Sequence, residues 1–490
     1  MGTLQYSMTS KKKFYITTSI PYVNAAPHIG FALELVQADA IARFHALTGD
    51  DTFFLTGTDE HGSKVPKAAE KADKPIPEFV NQVSDTFRAL TKVLDISNSH
   101  FIRTSEQGHH KAAQKFWQKA FAAGDIYKSK YEGLYCVGCE NYYNESELVD
   151  GKCPIHKITP EKISEENYFF RLSKYQHQLV EYFAKHKDFV VPETRYNEVL
   201  QFIKQGLRDT SVSRSAKVLP WGVSVPNDPD QTIYIWFDAL INYLSGIGYA
   251  EEDETFKKFW PADVHLIGKD ISRFHAVLWP AMLLSAGLPL PKQIFVHGFL
   301  SVDGEKISKS IGNVIDPFPL VEKYGVDAVR YYLLREIPSD GDGDFSIKKL
   351  EARYTADLAN DLGNLISRVT NLLEKNCDGQ VLKQVETPKR AENVQKYIEA
   401  FKLHEALNEI WENVRWANQY IDKAKLWELP KKDPALFNEV VSSLAALIKQ
   451  IALELAPFLP ETATKIEKIL NADQIKKAPA LFPRTSKPLP

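Results

Sequence analysis

The chain has 490 residues, a formal net charge of -3, 44% hydrophobic and 25% charged residues. That length exceeds one ordinary core and predicts two to four domains at roughly 100–200 residues each. The composition is that of a soluble globular protein; no apolar run approaches the ~18 residues a membrane span needs, and the near-neutral balance excludes nucleic-acid binding by global charge, leaving only local patches. The start, MGTLQYSMTSKKK, has lysines but no apolar stretch or cleavage pattern behind them, so it reads as a short lead and not as a targeting peptide.

Lys13–Thr18 is a short β-prone run, followed by a Pro- and Ala-rich loop over 19–27. From Ile29 to Leu47 the apolar residues Leu33, Val36, Ala40, Ile41, Phe44 and Leu47 recur at spacings of three and four, which predicts a helix. Gly49-Asp50 breaks it, and 52–55 reads as a buried strand. Strand, helix, strand is a βαβ unit and implies a parallel sheet. A second such unit is expected from a strand at 263–267, a helix at 273–285 and a strand at 294–296. Between the two, 131–226 has no βαβ rhythm. The expectation is an α/β, doubly wound parallel-sheet (Rossmann-like) domain over 1–130 and 227–300, split by an insertion at 131–226. A linking region at 301–353 follows, then an all-α bundle over 354–490. In that bundle Leu403, Leu407, Ile410, Val414, Ala417 and Ile421 form one apolar stripe.

Three places carry chemistry. His28-Ile29-Gly30 opens the first helix, where unpaired N–H groups and a partial positive charge attract anions; a capping histidine without a ligand is the plainer alternative. Lys306 and Lys309 stand in the glycine-flanked stretch VDGEKISKSIGN (302–313) and suit a polyphosphate, as would a merely solvated basic loop. Cys136-x2-Cys139 and Cys153-x2-His156 are two close pairs of soft or borderline ligands, a pattern for closed tetrahedral Zn²⁺ in a reducing compartment. Cys377 stands apart.

PHIG (27–30) and KISKS (306–310), in this order around a split βαβ domain, resemble the two signatures of class I aminoacyl-tRNA synthetases. SIPYVNAAPHIG (19–30), LTGTDEHG (55–62), IWFDALINY (235–243) and HLIGKDISRFH (265–275) are similar to the active-site blocks of the methionyl-tRNA synthetases, and the likeness runs from Phe14 to about Pro460. The resemblance implies a cytoplasmic ligase that joins methionine to ATP as methionyl-adenylate. It then loads the amino acid on initiator and elongator tRNA(Met) through their CAU anticodon, with Mg²⁺ on the nucleotide and structural zinc in the insertion. It places His28, Gly30, Lys269, Asp270, Lys306 and Lys309 at ATP, with His28 and the two signature lysines catalytic. Around methionine it places Ile20, Tyr22, Trp236, Ala239, Tyr243 and Ile271, with Asp59 on the ammonium and His275 near the sulfur. Asn364, Arg368 and Trp427 match the family's anticodon-reading positions. Without the C-terminal domain that dimerises some members, a monomer is expected. Phe31 departs from the pattern: the family has a second histidine there, and a phenyl ring cannot donate to phosphate. A cysteinyl-tRNA synthetase would keep its zinc in the active site, and synthetases for leucine, isoleucine and valine need a larger editing insertion. A small-molecule nucleotidylyltransferase would not need the C-terminal helices, and the intact lysines and Asp59 disfavour a catalytically dead tRNA-binding relic.

Overall fold

The computed structural model describes residues 12–136, 141–143, 145–155, 157–307, 312–382 and 393–483. Strand β1 (Lys13–Thr18), helix α1 (Ile29–Leu47) and strand β2 (Asp51–Thr58) form the first βαβ unit. Strand β3 (His100–Arg103) extends it, and helix α2 (Gln107–Ala122) follows. Ile16 of β1 pairs in parallel with Phe54 on one side and Val264 on the other. Helix α1 is buried around almost its whole circumference, including Glu34, Gln37 and Asp39, because the sheet covers one face and later helices the other.

The chain then leaves the central sheet. Strands β4 (Ile126–Cys136), β5 (Asn141–Tyr143) and β6 (Glu161–Phe170) are antiparallel, and β4 and β6 pair from Ile126↔Phe170 to Tyr135↔Glu161. The stretch 131–226 is not one detached block, however. Its middle returns as β7 (Val190–Val191), which joins the central sheet in parallel beside the later strand that carries Ile294. Two residues are too few for any periodicity to reveal.

Helix α3 (Ile235–Ala239) precedes β8 (Val264–Gly268). The expected continuous helix at 273–285 is divided. Phe274–Leu278 is a wide π-helical turn, closed by the Trp279 N–H on the Phe274 carbonyl, and α4 (Trp279–Ser285) continues from it. Pro280 supplies the reason: it has no N–H to give to the preceding turn. Strand β9 (Gln293–His297) completes the six-stranded parallel sheet, order β3-β2-β1-β8-β9-β7. The winding direction reverses between β1 and β8. In such sheets ligands bind at the carboxyl edge at this switch point, which here is formed by the loops after Thr18 and Gly268.

A small sheet follows: β10 (Leu300–Val302), β11 (Glu305–Lys306) and β12 (Gly343–Phe345), with α5 (Val326–Glu336) between. From Tyr354 the described chain is helical or loop: a π-helical stretch Tyr354–Gly363, then α6 (Asn364–Asn376), α7 (Leu403–Lys423), α8 (Pro434–Leu455) and α9 (Pro460–Leu470). By length and composition α8 is apolar enough to cross a membrane. Here Phe437, Val441, Leu444, Ile448 and Ile451 are instead buried in the bundle core. One apolar core runs from α1 into these helices. Arg330 of α5 crosses that junction fully buried: its guanidinium pairs with Asp39 of α1 at 2.6 Å and donates to the carbonyls of Leu94 (3.1 Å), Pro457 (3.1 Å) and Phe458 (2.9 Å). A buried guanidinium is tolerated only when it is satisfied in this way.

Candidate active site

The two sides of the switch-point crevice are built differently. On one side lie the residues expected around methionine. The chain after β1 runs alongside the end of β2: Asp59 N–H donates to Pro21 O (2.9 Å) and Val23 N–H to Asp59 O (3.1 Å), so Tyr22 and Asp59 are opposed. Asp59 is 2% exposed. Trp236 of α3 stacks flat on Phe274 (3.8 Å, 6°) and meets Tyr22 edge-on at 6.4 Å. Ile20, Trp236 and Ile271 are half-buried against one core, while Ala239, Tyr243 and His275 are buried. His275 rides on the π-helical turn. Its Nδ1 faces the Ile271 carbonyl (3.1 Å), which can only accept, so that nitrogen carries the proton; Nε2 then accepts from the Tyr243 hydroxyl at 2.7 Å. Burial pushes His275 down to about 4, outweighing the carbonyl, so the ring is neutral at physiological pH. Burial likewise drives the Tyr243 phenol well above its ordinary value. A neutral, polarisable wall of this kind suits an uncharged thioether.

The other side carries the phosphate candidates. His28 caps α1, its Nδ1 accepting from Gly30 N–H at 3.1 Å. The capping reading is therefore present, and it leaves the helix start aimed at the crevice. A Cβ on Gly30 would sit 2.9 Å from the His28 ring and would push that ring from its capping position. The two signatures meet here: Ile29 N–H donates to Ile315 O (3.0 Å), and the Ile307 side chain comes within 4.0 Å of where that Cβ would be. Lys306 is exposed on β11, with its carbonyl held by Asn313 (3.0 Å). Lys309 lies outside the described residues. Asp270 opens onto solvent on one side yet is packed by protein on the other; partial burial raises its carboxyl, with Lys306 and His297 pulling the opposite way. Lys269 is held by Asp342 (2.7 Å to both oxygens) and lies over the Phe299 ring at 4.2 Å. Phe31 faces inward, 8% exposed and edge-on to Phe87 at 5.3 Å, so this position is part of the core.

Sequence reasoning missed two residues here. Glu34 accepts from Ser19 N–H (2.7 Å) and Oγ–H (2.6 Å), and its other oxygen meets His297 Nε2 at 2.9 Å. Both His297 nitrogens face acceptors, the second being Gly298 O at 2.8 Å; burial opposes the charge, but the Glu34 carboxylate wins and the His297 pKa is raised. Gly268 brings this pair and Asp270 together, since a Cβ there would fall 2.9 Å from Asp270 Oδ1 and 3.6 Å from His297 Nε2. An acid on a buried helix face and a His-Gly at a strand's carboxyl end were the available signals. A cavity of about 750 Å³ lined by Phe14, Asp263, Gln293, Ile398 and Phe401 opens at the opposite, amino edge of the sheet, away from these residues.

Comparison with known proteins gives the family. The family profile for tRNA synthetases class I (M) matches residues 14–162 and 145–370. A methionine–tRNA ligase of Caldanaerobacter subterraneus is 47% identical over 93% of this chain and 73% of its own length. That of Brucella melitensis is 45% identical over 96% and 93%. This chain belongs to the methionine–tRNA ligases. Among solved structures, Mycobacterium tuberculosis methionyl-tRNA synthetase in complex with methionyl-adenylate superimposes with a TM-score of 0.91 at 42% identity, covering 96% of this chain and 100% of that one. The apo form of the same protein gives 0.84 at 39% identity, covering 98% and 99%.

The enzyme's remaining candidate residues lie away from the crevice. Cys136 ends β4 and Cys153 starts a turn in which Lys157 N–H returns to its carbonyl (2.8 Å); both cysteines are buried. Cys139 and His156 lie outside the described residues. In the bundle, Asn364 is exposed at the start of α6, and Arg368, one turn on, is paired with Asp422 near the end of α7. Trp427, in the turn just beyond α7, is 54% exposed, an unusual position for an indole without a partner surface.

Proposed function

We propose that the crevice divides the activation of methionine between its two sides. Asp59 takes the substrate ammonium. Tyr22, Trp236, Ala239 and Tyr243 enclose the side chain, and neutral His275 lies near the sulfur. ATP lies across the α1 N-terminus, its phosphates toward His28, Gly30, Lys306 and Lys309, its ribose toward Asp270. The methionine carboxylate attacks the α-phosphorus in line, the bond to pyrophosphate breaks, and the lysines stabilise the charge leaving with it; a terminal ribose hydroxyl of tRNA(Met) then takes the acyl group. Mg²⁺ accompanies the nucleotide. The protein contributes no nucleophile, only position and charge. The observation that carries this reading is the meeting of the PHIG helix start with the strand and loop around KISKS, beside a buried neutral aromatic pocket.

Cys136 at the end of β4 and Cys153, both buried, fit a zinc held by Cys136, Cys139, Cys153 and His156, which would have no open position for chemistry. Elemental analysis of protein purified without chelator should find one zinc per chain; its absence would leave the knuckle a metal-free relic. Asn364, Arg368 and Trp427 at one end of the bundle suit the edges and faces of the unpaired anticodon bases CAU. The overall reading is tested by exchange of labelled pyrophosphate into ATP. Exchange should require methionine and be absent with cysteine, leucine or valine. Exchange with any of these in place of methionine would reject it.

A further inference from the structure

Beneath the proposed methionine pocket lies a buried acid that the mechanism does not use. Asp238 is 0% exposed and sits on α3 between Trp236 and Ala239. A carboxylate so placed must be satisfied by donors. Its Oδ2 accepts from His61 Nδ1 at 2.6 Å, and its Oδ1 from His109 Nε2 at 3.0 Å. Both rings are buried, at 3% and 0% exposure. These contacts tie three distant segments together: the loop after β2, helix α2 and helix α3. His109 Nδ1 continues to Ser245 Oγ at 2.8 Å, in the same short helix (Asn242–Ser245) as Tyr243. The His61 loop is also pinned from its far side. Its neighbour Glu60 is held by Arg103 at 2.6 and 3.0 Å, and Trp221 donates to the Glu60 carbonyl at 2.6 Å.

His61 N–H itself approaches Asp59 Oδ1 at 3.3 Å. The segment bearing Asp59 is thus joined, through His61 and Asp238, to the helix bearing Trp236 and Ala239. We propose that Asp238 is a positioning residue for methionine: by gripping His61 and His109 it sets the span between the carboxylate that receives the ammonium and the aromatic wall that receives the thioether. This rests on the reading of Asp59 and Trp236 given above. The fit of a flexible substrate to a fixed span is a matter of sub-ångström placement, and misplacement costs binding far from where the mutation acts. The network touches none of the residues proposed for ATP.

The test is a split between the two substrates in pyrophosphate exchange with the full chain. Asp238→Asn should raise the KM for methionine at least about tenfold and leave the KM for ATP within about twofold. It should also narrow the preference for methionine over ethionine, one methylene longer. If the buried change prevents folding, His109 carries the test. His109→Gln retains a donor at the Nε2 position and should keep the methionine KM within about threefold. His109→Leu removes the donor and should reproduce the tenfold rise. Equal losses for both substrates, or the same loss with Gln as with Leu, would overturn the proposal and make the network merely structural. Asp59→Asn separates the two levels. If it leaves methionine affinity unchanged, the pocket reading has failed; if it abolishes affinity while the Asp238 and His109 variants behave as wild type, only the positioning role has.

Discussion

The two sides of one crevice solve opposite problems. The proposed methionine side is closed in advance: Tyr243 and His275 satisfy each other, Trp236 lies on Phe274, and the loop after β2 is held by the His61–Asp238 hydrogen bond and the Arg103–Glu60 ion pair. The proposed phosphate side is open: Gly304, Lys306 and Gly312 are exposed, and Lys269 is occupied by Asp342. The difference follows from the ligands. A neutral thioether is recognised by shape and dryness, which require rigid packing. A polyphosphate is recognised by charge that must follow the leaving group, and exposed lysines beside glycines can move with it. The same contrast separates the proposed pocket from the bundle, where Trp427 is exposed.

The sharpest way to separate the two sides is Lys309→Ala. Removing one transition-state contact typically costs on the order of 3–4 kcal/mol, so exchange should fall by two to three orders of magnitude while methionine affinity holds. Unchanged exchange would break the division. Tyr243→Phe attacks the closed side: it leaves His275 Nε2 buried without a donor, a cost of about 1–3 kcal/mol. Thermal stability and methionine affinity should both drop, and ATP affinity should not. Trp427→Ala should lower tRNA charging roughly tenfold, since stacking is worth about 1–3 kcal/mol per base. Exchange without tRNA should be spared; equal losses in both assays would indicate misfolding. The pH dependence is gentler. His275 is depressed from its ordinary 6.5 to about 4 by burial, so its contribution to stability is complete above pH 6.5 and is lost as pH falls toward 4. Methionine affinity should be flat from pH 8 to about 5; a titration near 6.5 in binding would mean a solvated histidine. The smallest effect on catalysis is expected from Phe31→His. The ring packs on Phe87, so the variant should lose about 1–2 kcal/mol of stability for burying a polar ring, with exchange within about threefold.

Much of this was legible in the sequence because it lies in contiguous blocks. Helix α1 ran from Ile29 to Leu47 as its spacing predicted, and the strands of both βαβ units appeared within a few residues of their apolar runs. What was hidden depended on contacts between distant segments. Val190–Val191 is a strand only because β9 lies beside it. The π-helical turn at Phe274–Leu278 kept the periodicity of a helix while changing where His275 points. Glu34 and His297 are 263 positions apart and Asp238 and His61 177, so neither pair forms a motif. Phe31 stands where the family pattern has a histidine; its side chain turns into the core, which no local pattern distinguishes.

The proposed methionine side is complete before ATP arrives. Calorimetric titration of methionine into the ligand-free protein tests it most directly. One saturable site per chain is predicted, with an affinity that Lys309→Ala changes by less than about twofold. No binding until ATP is added, or an affinity that falls with Lys309, would contradict it.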